Sequence, residues 1–362
     1  MNFKEVSMEI HPKVKEIMEN FSYDASKPLG FGKVMSPIMI ISHYKNKNWE
    51  KPSLVPYGPI PLDPCAKVLH YAQEIFEGMK AFRANDQNLV LFRPHMNAKR
   101  FNFSARRMSM PLIDEKMFIE AAELITSYSE KLVPKRLGES LYLRPFMIAT
   151  EVGLGIKPAN EFLFCIVASP SGNYFSGSAV KVYIERDDIR AAKGGTGAAK
   201  TGGNYAASLF SYQKTIELGC DQTMWLDADH HQYVEEMSGM NFFAIYDRTI
   251  LTPPISETIL DGVTRNSILT IAKDLKIKVE ERKIDINQLL IDIEKGSCTE
   301  AFVCGTASVI VPISKFLDKS GRWYEVKNDK GLVSLELRDY LINLQSGRQV
   351  APDGWLYQVK KL

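Results

Sequence analysis

The sequence predicts an α+β protein of two domains, and three observations carry that prediction. Its 362 residues exceed the length of one ordinary domain, about 150 residues. Runs rich in isoleucine, valine and phenylalanine alternate with stretches of helical periodicity, with no internal repeat and no low-complexity segment. Between Ser169 and Ser178 the sequence SPSGNYFSGS, dense in Ser and Gly, separates two strand-like runs. These place a small α+β domain at 1–170, a connecting loop at 171–179 and a large α+β domain at 180–362.

Along the first domain, Ser36 to Tyr44 reads as a strand and the Pro-rich passage Pro52 to Pro64 as loop, because proline cannot sit inside a regular helix. A short helix is expected over Ala66 to Ile75. A strand pair from FEGMKAF to Leu89–Arg93 follows, and then a helix opened by Pro94 that carries Arg100. Asp114 to Leu132 has an amphipathic pattern, and Ser140 to Thr150 and Glu161 to Pro170 read as strands. In the second domain come a strand at Val180 to Glu185, a Gly-rich loop at Lys193 to Gly203 and a helix at Tyr205 to Leu218 closed by Gly219. A hairpin-like series runs through WLDADHHQYVEEMSGMNFFAIY. Helices at Arg265 to Leu275 and Asp285 to Glu294, a strand at Ala301 to Pro312 and a helix at Val333 to Leu344 complete the chain.

Composition narrows the function. Hydrophobic residues are 45% and charged residues 24%, which excludes a disordered or fibrous chain. Lys plus Arg is 45 against 43 Asp plus Glu, so a net charge of +2 supplies no field for nucleic acid or an anionic membrane. The five cysteines are widely spaced without a CxxC pair, which argues against a disulfide framework or zinc site and for a reducing compartment. No apolar run approaches the roughly 18 residues of a spanning helix. Acidic residues at Glu5, Glu9, Glu16 and Glu19 fit no targeting peptide, so a cytoplasmic location is expected.

The most unusual stretch is GGTGAAKTGGNY, Gly194 to Tyr205, a lysine flanked by residues that let backbone approach a ligand. As a phosphate-binding P-loop it fails where Ala199 replaces the required glycine, and again where Gly202-Gly203-Asn204 would disrupt the following helix. A glycine loop alone still leaves an ATPase or a binding module open. The other reading is that Lys200 acts as an amine, forming a Schiff base with an aldehyde cofactor or carbonyl substrate.

Four further passages set this lysine in context: KTGGNYAASL at 200–209, EEMSGMNFF at 235–243, LDGVTRNSIL at 260–269 and FVCGTASV at 302–309. With LHYAQEIFEGMKAFR at 69–83 and LFRPHMNAKR at 91–100, their order resembles that of the branched-chain-amino-acid aminotransferases, pyridoxal-phosphate enzymes of fold type IV. The resemblance covers nearly the whole chain. It implies pyridoxal 5'-phosphate as cofactor, no metal, and transamination of L-leucine, L-isoleucine and L-valine with 2-oxoglutarate by a ping-pong mechanism. Its partners would be small-molecule amino acids and 2-oxo acids, without nucleic acid or membrane, in a homodimer.

Residue by residue, the resemblance makes Lys200 the cofactor-linked catalytic residue. Glu236 would be the carboxylate at the ring nitrogen, and Tyr205 the donor to the cofactor phenolate. Arg100, Gly262, Val263, Thr264 and Thr306 would hold the phosphate. The first of these offers a planar guanidinium, and the middle three lie at a helix start where free N–H groups and the helix dipole favour an anion. Ala307 would meet the substrate carboxylate. Phe31, Tyr71, Phe76, Tyr142 and Tyr174 would line an aromatic pocket for aliphatic side chains, and Arg144 would receive the distal carboxylate of glutamate.

Two departures stand out. Animal members carry Cys-x-x-Cys where this chain has Ser308 and Val311, so their redox switch is not expected here. Gly239 replaces a threonine of the animal substrate site, which leans towards microbial relatives. D-amino-acid aminotransferase, aminodeoxychorismate lyase and the amine transaminases share the lysine and carboxylate. The small-domain passages and the length favour the branched-chain type.

Overall fold

The computed structural model describes residues 8–24, 29–172, 179–328 and 331–360. They form two compact units. The first holds 8–24, 29–172, 199–202 and 343–360, and the second 179–198, 203–328 and 331–342.

The first unit is built on a ten-stranded sheet whose main path runs Glu9–Ile10, Ser53–Pro56, Ile38–Lys45, Phe162–Ser171, Ser140–Ala149, Met79–Arg83, Leu89–Phe92, Leu356–Gln358. Asn48–Trp49 and Glu74–Phe76 pair off this path. The two long central strands pair antiparallel from Ser140 against Ser171 to Ala149 against Phe162. The helices Pro94–Arg107 and Glu115–Tyr128 pack on the sheet through Phe101, Phe118 and Phe164, whose ring centroids lie 5.3 to 6.0 Å apart. Asp114 caps the second helix by accepting from Met117 N–H at 3.0 Å.

Three segments here depart from expectation. The Pro-rich passage contains a strand, Ser53–Pro56, in register with Ile38–Ile41, with Pro52 just before it and Pro56 at its end, where a missing N–H breaks little of the ladder. The helix over 66–75 stops at Tyr71, because Ala72 turns left-handed (φ 47°) and Glu74–Phe76 leaves as a strand. Residues 343–360 were expected in the second domain but pack with the first. Leu356–Gln358 pairs with Val90–Phe92, and Trp355 packs edge-on against Phe92 and under the Arg93 guanidinium at 4.3 Å. The four residues around Lys200 join the first unit likewise, through backbone hydrogen bonds described below.

In the second unit the strands follow the order Val234–Met237, Gln222–Leu226, Val180–Ile184, Val309–Leu317, Glu300–Gly305, Asn241–Tyr246, Thr249–Thr252, Lys278–Glu281, with Trp323–Glu325 beside Val309–Leu317. Glu236 also pairs with Asn241, which joins the first strand to the sixth and closes those six into a ring. Phe242, Phe316, Val182 and Ile313 are fully buried in its core. Helices Val263–Asp274 and Ile286–Lys295 belong to the same unit, as does Leu332–Gln345 up to Ile342. Asp285 caps the second of them through Asn287 and Gln288 N–H, and Gly296 ends it at φ 75°.

The helix expected over 205–218 is broken into Gly202–Ala206 and Leu209–Glu217. The Ser208 hydroxyl donates to Tyr205 O at 2.7 Å, a local bond that competes with the helical ladder. The single strand expected over 301–312 is a hairpin of two, with Gly305 paired to Val309 across Thr306–Ser308. Val309 holds φ 61°, a conformation that a β-branched residue adopts at a cost of about 1 to 3 kcal/mol and that clusters at functional sites. Among the described residues no helix is long and apolar enough to cross a membrane.

Candidate active site

Lys200 is held at its backbone. Its N–H donates to Ser104 Oγ at 2.9 Å, its carbonyl accepts from Phe76 N–H at 3.0 Å, and Thr201 Oγ1 donates to Glu74 O at 2.7 Å. The neighbouring Gly202 N–H donates to the Glu74 carboxylate. The Lys200 amine lies 4.8 Å from the centre of the Phe76 ring, whose π-face favours a cation. A half-buried amine on an immobilised backbone is the setting that covalent amine chemistry requires.

Beside it, Glu77 is fully buried and takes the Arg100 guanidinium in a forked pair, Nε to Oε1 at 2.6 Å and Nη2 to Oε2 at 2.9 Å. Asn97 Nδ2 and Gly78 N–H donate to the same carboxylate at 2.8 and 3.0 Å. Burial pushes the Glu77 carboxyl up, but the charge and hydrogen bonds of Arg100, the charge of Lys200 and the Asn97 amide outweigh it. The carboxyl is held below its ordinary range. Arg100 therefore stands where the sequence places it, on the helix opened by Pro94, with its fork engaged by an acid the sequence reading did not single out.

The expected substrate residues of this unit form a chain of contacts. Phe31 meets Tyr142 edge to face at 4.8 Å, the Tyr142 hydroxyl accepts from Arg144 Nη2 at 3.0 Å, and the Arg144 guanidinium lies 4.8 Å over the ring of Phe76. Tyr71 does not share these contacts. Its ring is 37% exposed and its hydroxyl donates to Leu154 O. Tyr174 lies outside the described residues.

In the second unit a separate group assembles around Glu236, 4% exposed at the strand pair that closes the ring. Its Oε1 accepts from Arg190 Nη2 at 2.8 Å, and its Oε2 accepts from Asn241 Nδ2 at 3.0 Å and Leu260 N–H at 3.3 Å. Asn241 also donates to Leu260 O at 3.0 Å, and a Cβ at Gly262 would collide with its Oδ1, so that position has room only for glycine. Gly262 is the N-cap of the helix Val263–Asp274. The N–H groups of Val263 and Thr264 open that helix, where the positive end of the dipole favours an anion.

Tyr205 and Gly239 meet nearby, since a Cβ at Gly239 would lie 3.7 Å from Tyr205 Cε1. The hairpin turn carrying Thr306 and Ala307 is seated on the same segment: Ser308 Oγ donates to Met240 Sδ at 3.2 Å, and a Cβ at Gly305 would lie 3.4 Å from Gly239 O.

Glu235 projects from the other side of its strand and accepts from Thr258 Oγ1. Burial pushes its carboxyl up to about 7, with Glu236 and Asp227 adding to the rise and Thr258 and Arg190 opposing it. The folded chain thus binds this proton more tightly than the unfolded chain does. The associated stability is complete below the ordinary value of 4.5 and is lost as pH rises through about 7. Glu235→Gln is therefore expected to raise apoprotein stability at pH 8.5 by at most about 3 kcal/mol and to change it little at pH 4.5. Thermal midpoints across that range check it, and a pH-independent difference would refute it.

The family profile described as amino-transferase class IV matches residues 74–316. The branched-chain-amino-acid aminotransferase of Mycolicibacterium smegmatis is 46% identical over 335 residues, 90% of this chain and 91% of that protein. The crystal structure of the Escherichia coli branched-chain amino acid aminotransferase superposes with a TM-score of 0.74 at 25% identity, covering 88% of this chain and 99% of that one. A second crystal structure, the T.th. branched-chain amino acid aminotransferase with pyridoxamine 5'-phosphate, gives a TM-score of 0.72 at 26% identity over 88% and 98%. The chain belongs to the class IV amino-transferases.

As a class IV amino-transferase, this chain has the α+β fold type IV architecture and the enzymatic class expected from its sequence. The family's pyridoxal cofactor fits the residues present. A buried, ionically paired carboxylate suits a protonated ring nitrogen, and the Gly262 cradle offers main-chain donors to a phosphate. The sequence reading missed Arg190, Glu77, Asn241 and Ser104. Asn241 and Glu77 had a nearby signal, since the first closes the EEMSGMN passage and the second lies in FEGMKAF.

Proposed function

We propose that this class IV amino-transferase interconverts L-leucine, L-isoleucine and L-valine with their 2-oxo acids, using 2-oxoglutarate and L-glutamate as the other pair in a ping-pong sequence. The observation that carries the reading is the Glu236 group: a buried carboxylate braced by Arg190, Asn241 and Leu260 N–H beside a glycine-capped helix start, in a chain 46% identical to a branched-chain-amino-acid aminotransferase.

In this reading Gly262, Val263, Thr264, Thr306 and Arg100 hold the cofactor phosphate, Glu236 holds a proton on the ring nitrogen, and Tyr205 donates to the phenolate oxygen. Pyridoxal phosphate supplies, when bound, an electron sink for the pair left on the amino-acid Cα. Lys200 anchors the cofactor and then serves as base and acid: Nζ takes the proton from Cα and later gives one back. Its fixed backbone keeps that amine in place through both halves of the cycle. The amide of Ala307 binds the α-carboxylate. Phe31, Phe76 and Tyr142 exclude water from the aliphatic side chain, and Arg144 receives the far carboxylate of glutamate. A cytoplasmic homodimer, with Tyr71 and Tyr174 contributing to the pocket, completes the proposal.

Purified protein is expected to convert L-leucine and 2-oxoglutarate to 4-methyl-2-oxopentanoate and L-glutamate, with a cofactor absorbance that shifts on adding L-leucine alone. Turnover of D-alanine in preference to L-leucine, or an unchanged spectrum, would overturn the reading.

A further inference from the structure

Arg190 lies seven residues before the Gly-rich loop's Gly197 and is 7% exposed. Its Nη2 is directed at three oxygens from three segments: Glu236 Oε1 at 2.8 Å, Gly197 O at 3.2 Å and Thr258 O. The first is the carboxylate assigned to the ring nitrogen. The second belongs to the loop that reaches Lys200 three residues later, and the third to the loop that reaches the Gly262 cradle four residues later.

Two independent observations indicate that this junction is tightly built. A Cβ at Gly197 would lie 2.6 Å from Ala191 Cβ and 2.8 Å from Thr258 Cα, so the loop reaches the Thr258 segment only as glycine. One residue on, Ala198 N–H donates to Glu257 O at 2.9 Å, a second tie between the same two loops. Arg190 Nε is buried without a hydrogen-bond partner among the described residues. The side chain is thus placed for what its terminal nitrogen reaches rather than for satisfying its whole fork, and a buried unmade bond is unfavourable by itself.

We propose that Arg190 is a positioning residue for transamination, acting through Glu236: it fixes the carboxylate that serves the cofactor's ring nitrogen in register with the lysine loop and the phosphate cradle. This rests on the function proposed above. An opposite charge at hydrogen-bond distance favours the ionised carboxylate, and the arginine stem carries its terminal nitrogen to a carboxylate and two main-chain carbonyls at once. Lysine would keep the charge on a side chain one bond shorter and fall short of the bridge.

The test uses the full-length holoenzyme and compares Arg190→Gln, Arg190→Lys, Glu236→Gln and the double variant Arg190→Gln/Glu236→Gln. Arg190→Gln is expected to slow the single-turnover half-reaction with L-leucine about 100-fold while the apparent L-leucine constant moves less than about 3-fold. It should weaken binding of pyridoxal phosphate to apoprotein about 10-fold and alter the visible circular dichroism of the bound cofactor. Arg190→Lys should fall between it and wild type in both rate and dichroism.

In the Glu236→Gln background the same substitution should cost less than about 3-fold further, because both changes remove one function. Equal losses in both backgrounds, or unaltered dichroism in Arg190→Gln, would overturn the inference. If Arg190→Gln does not fold, Arg190→Lys alone and over Glu236→Gln decides by the same non-additivity. A wild-type protein without transaminase activity would defeat the proposed function instead, so the two failures are distinguishable.

Discussion

Replacing Lys200 with alanine is expected to lower L-leucine transamination by about 1,000-fold or more, since in the proposed mechanism the variant loses both the anchoring amine and the proton-transfer group. The main-chain bonds from Lys200 N–H to Ser104 and from Phe76 N–H to Lys200 O do not involve the lysine side chain, so the loop should keep its conformation. Thermal stability of the apoprotein should therefore stay close to wild type. Single-turnover absorbance with L-leucine measures the chemical loss. Borohydride reduction of the wild-type holoenzyme should fix the cofactor on the peptide containing Lys200, and alanine there should abolish the adduct. Activity within 10-fold of wild type, or an adduct mapped to another lysine, would remove Lys200 from the mechanism.

The second large effect concerns stability. Glu77→Leu should destabilise the protein by about 3 to 5 kcal/mol, the usual result of removing one partner from a buried ion pair. Arg100 would lose its forked acceptor, and the Asn97 amide and Gly78 N–H would lose theirs. Glu77→Gln keeps the shape and one acceptor and should cost less. A carboxyl held below its ordinary value contributes stability that is present above 4.5 and is lost as pH falls through the folded value. The wild type should accordingly lose stability on acidification more steeply than Glu77→Gln. Urea unfolding at pH 7 and pH 4 measures both, and a Glu77→Leu protein within 1 kcal/mol of wild type would refute the structural role assigned to the pair.

Much of this candidate site was legible because its residues sit in short passages with local physical meaning. A lysine among glycines and a glycine before a helix each signal backbone that approaches a ligand. The helix started by Pro94 was legible for the same local reason. Glu77 and Arg190 were not, because each has its role only through a partner distant in sequence: Arg100 is 23 residues from Glu77, and Glu236 lies beyond the whole loop and helix that follow Arg190. The return of Leu356–Gln358 to the sheet of the first unit was hidden likewise, since a three-residue edge strand carries no periodicity of its own. The break at Ser208 turns on one hydroxyl choosing a local acceptor, which propensity summed over a window averages away.

The pair that seals the six-strand ring, Glu236 against Asn241, is also the acid and the amide of the proposed cofactor half-site. Structural integrity and chemical competence therefore fail at the same seam. Were the cylinder to loosen there, cofactor would escape while most strands kept their neighbours, making retention of the prosthetic group a more sensitive gauge of damage than far-ultraviolet dichroism.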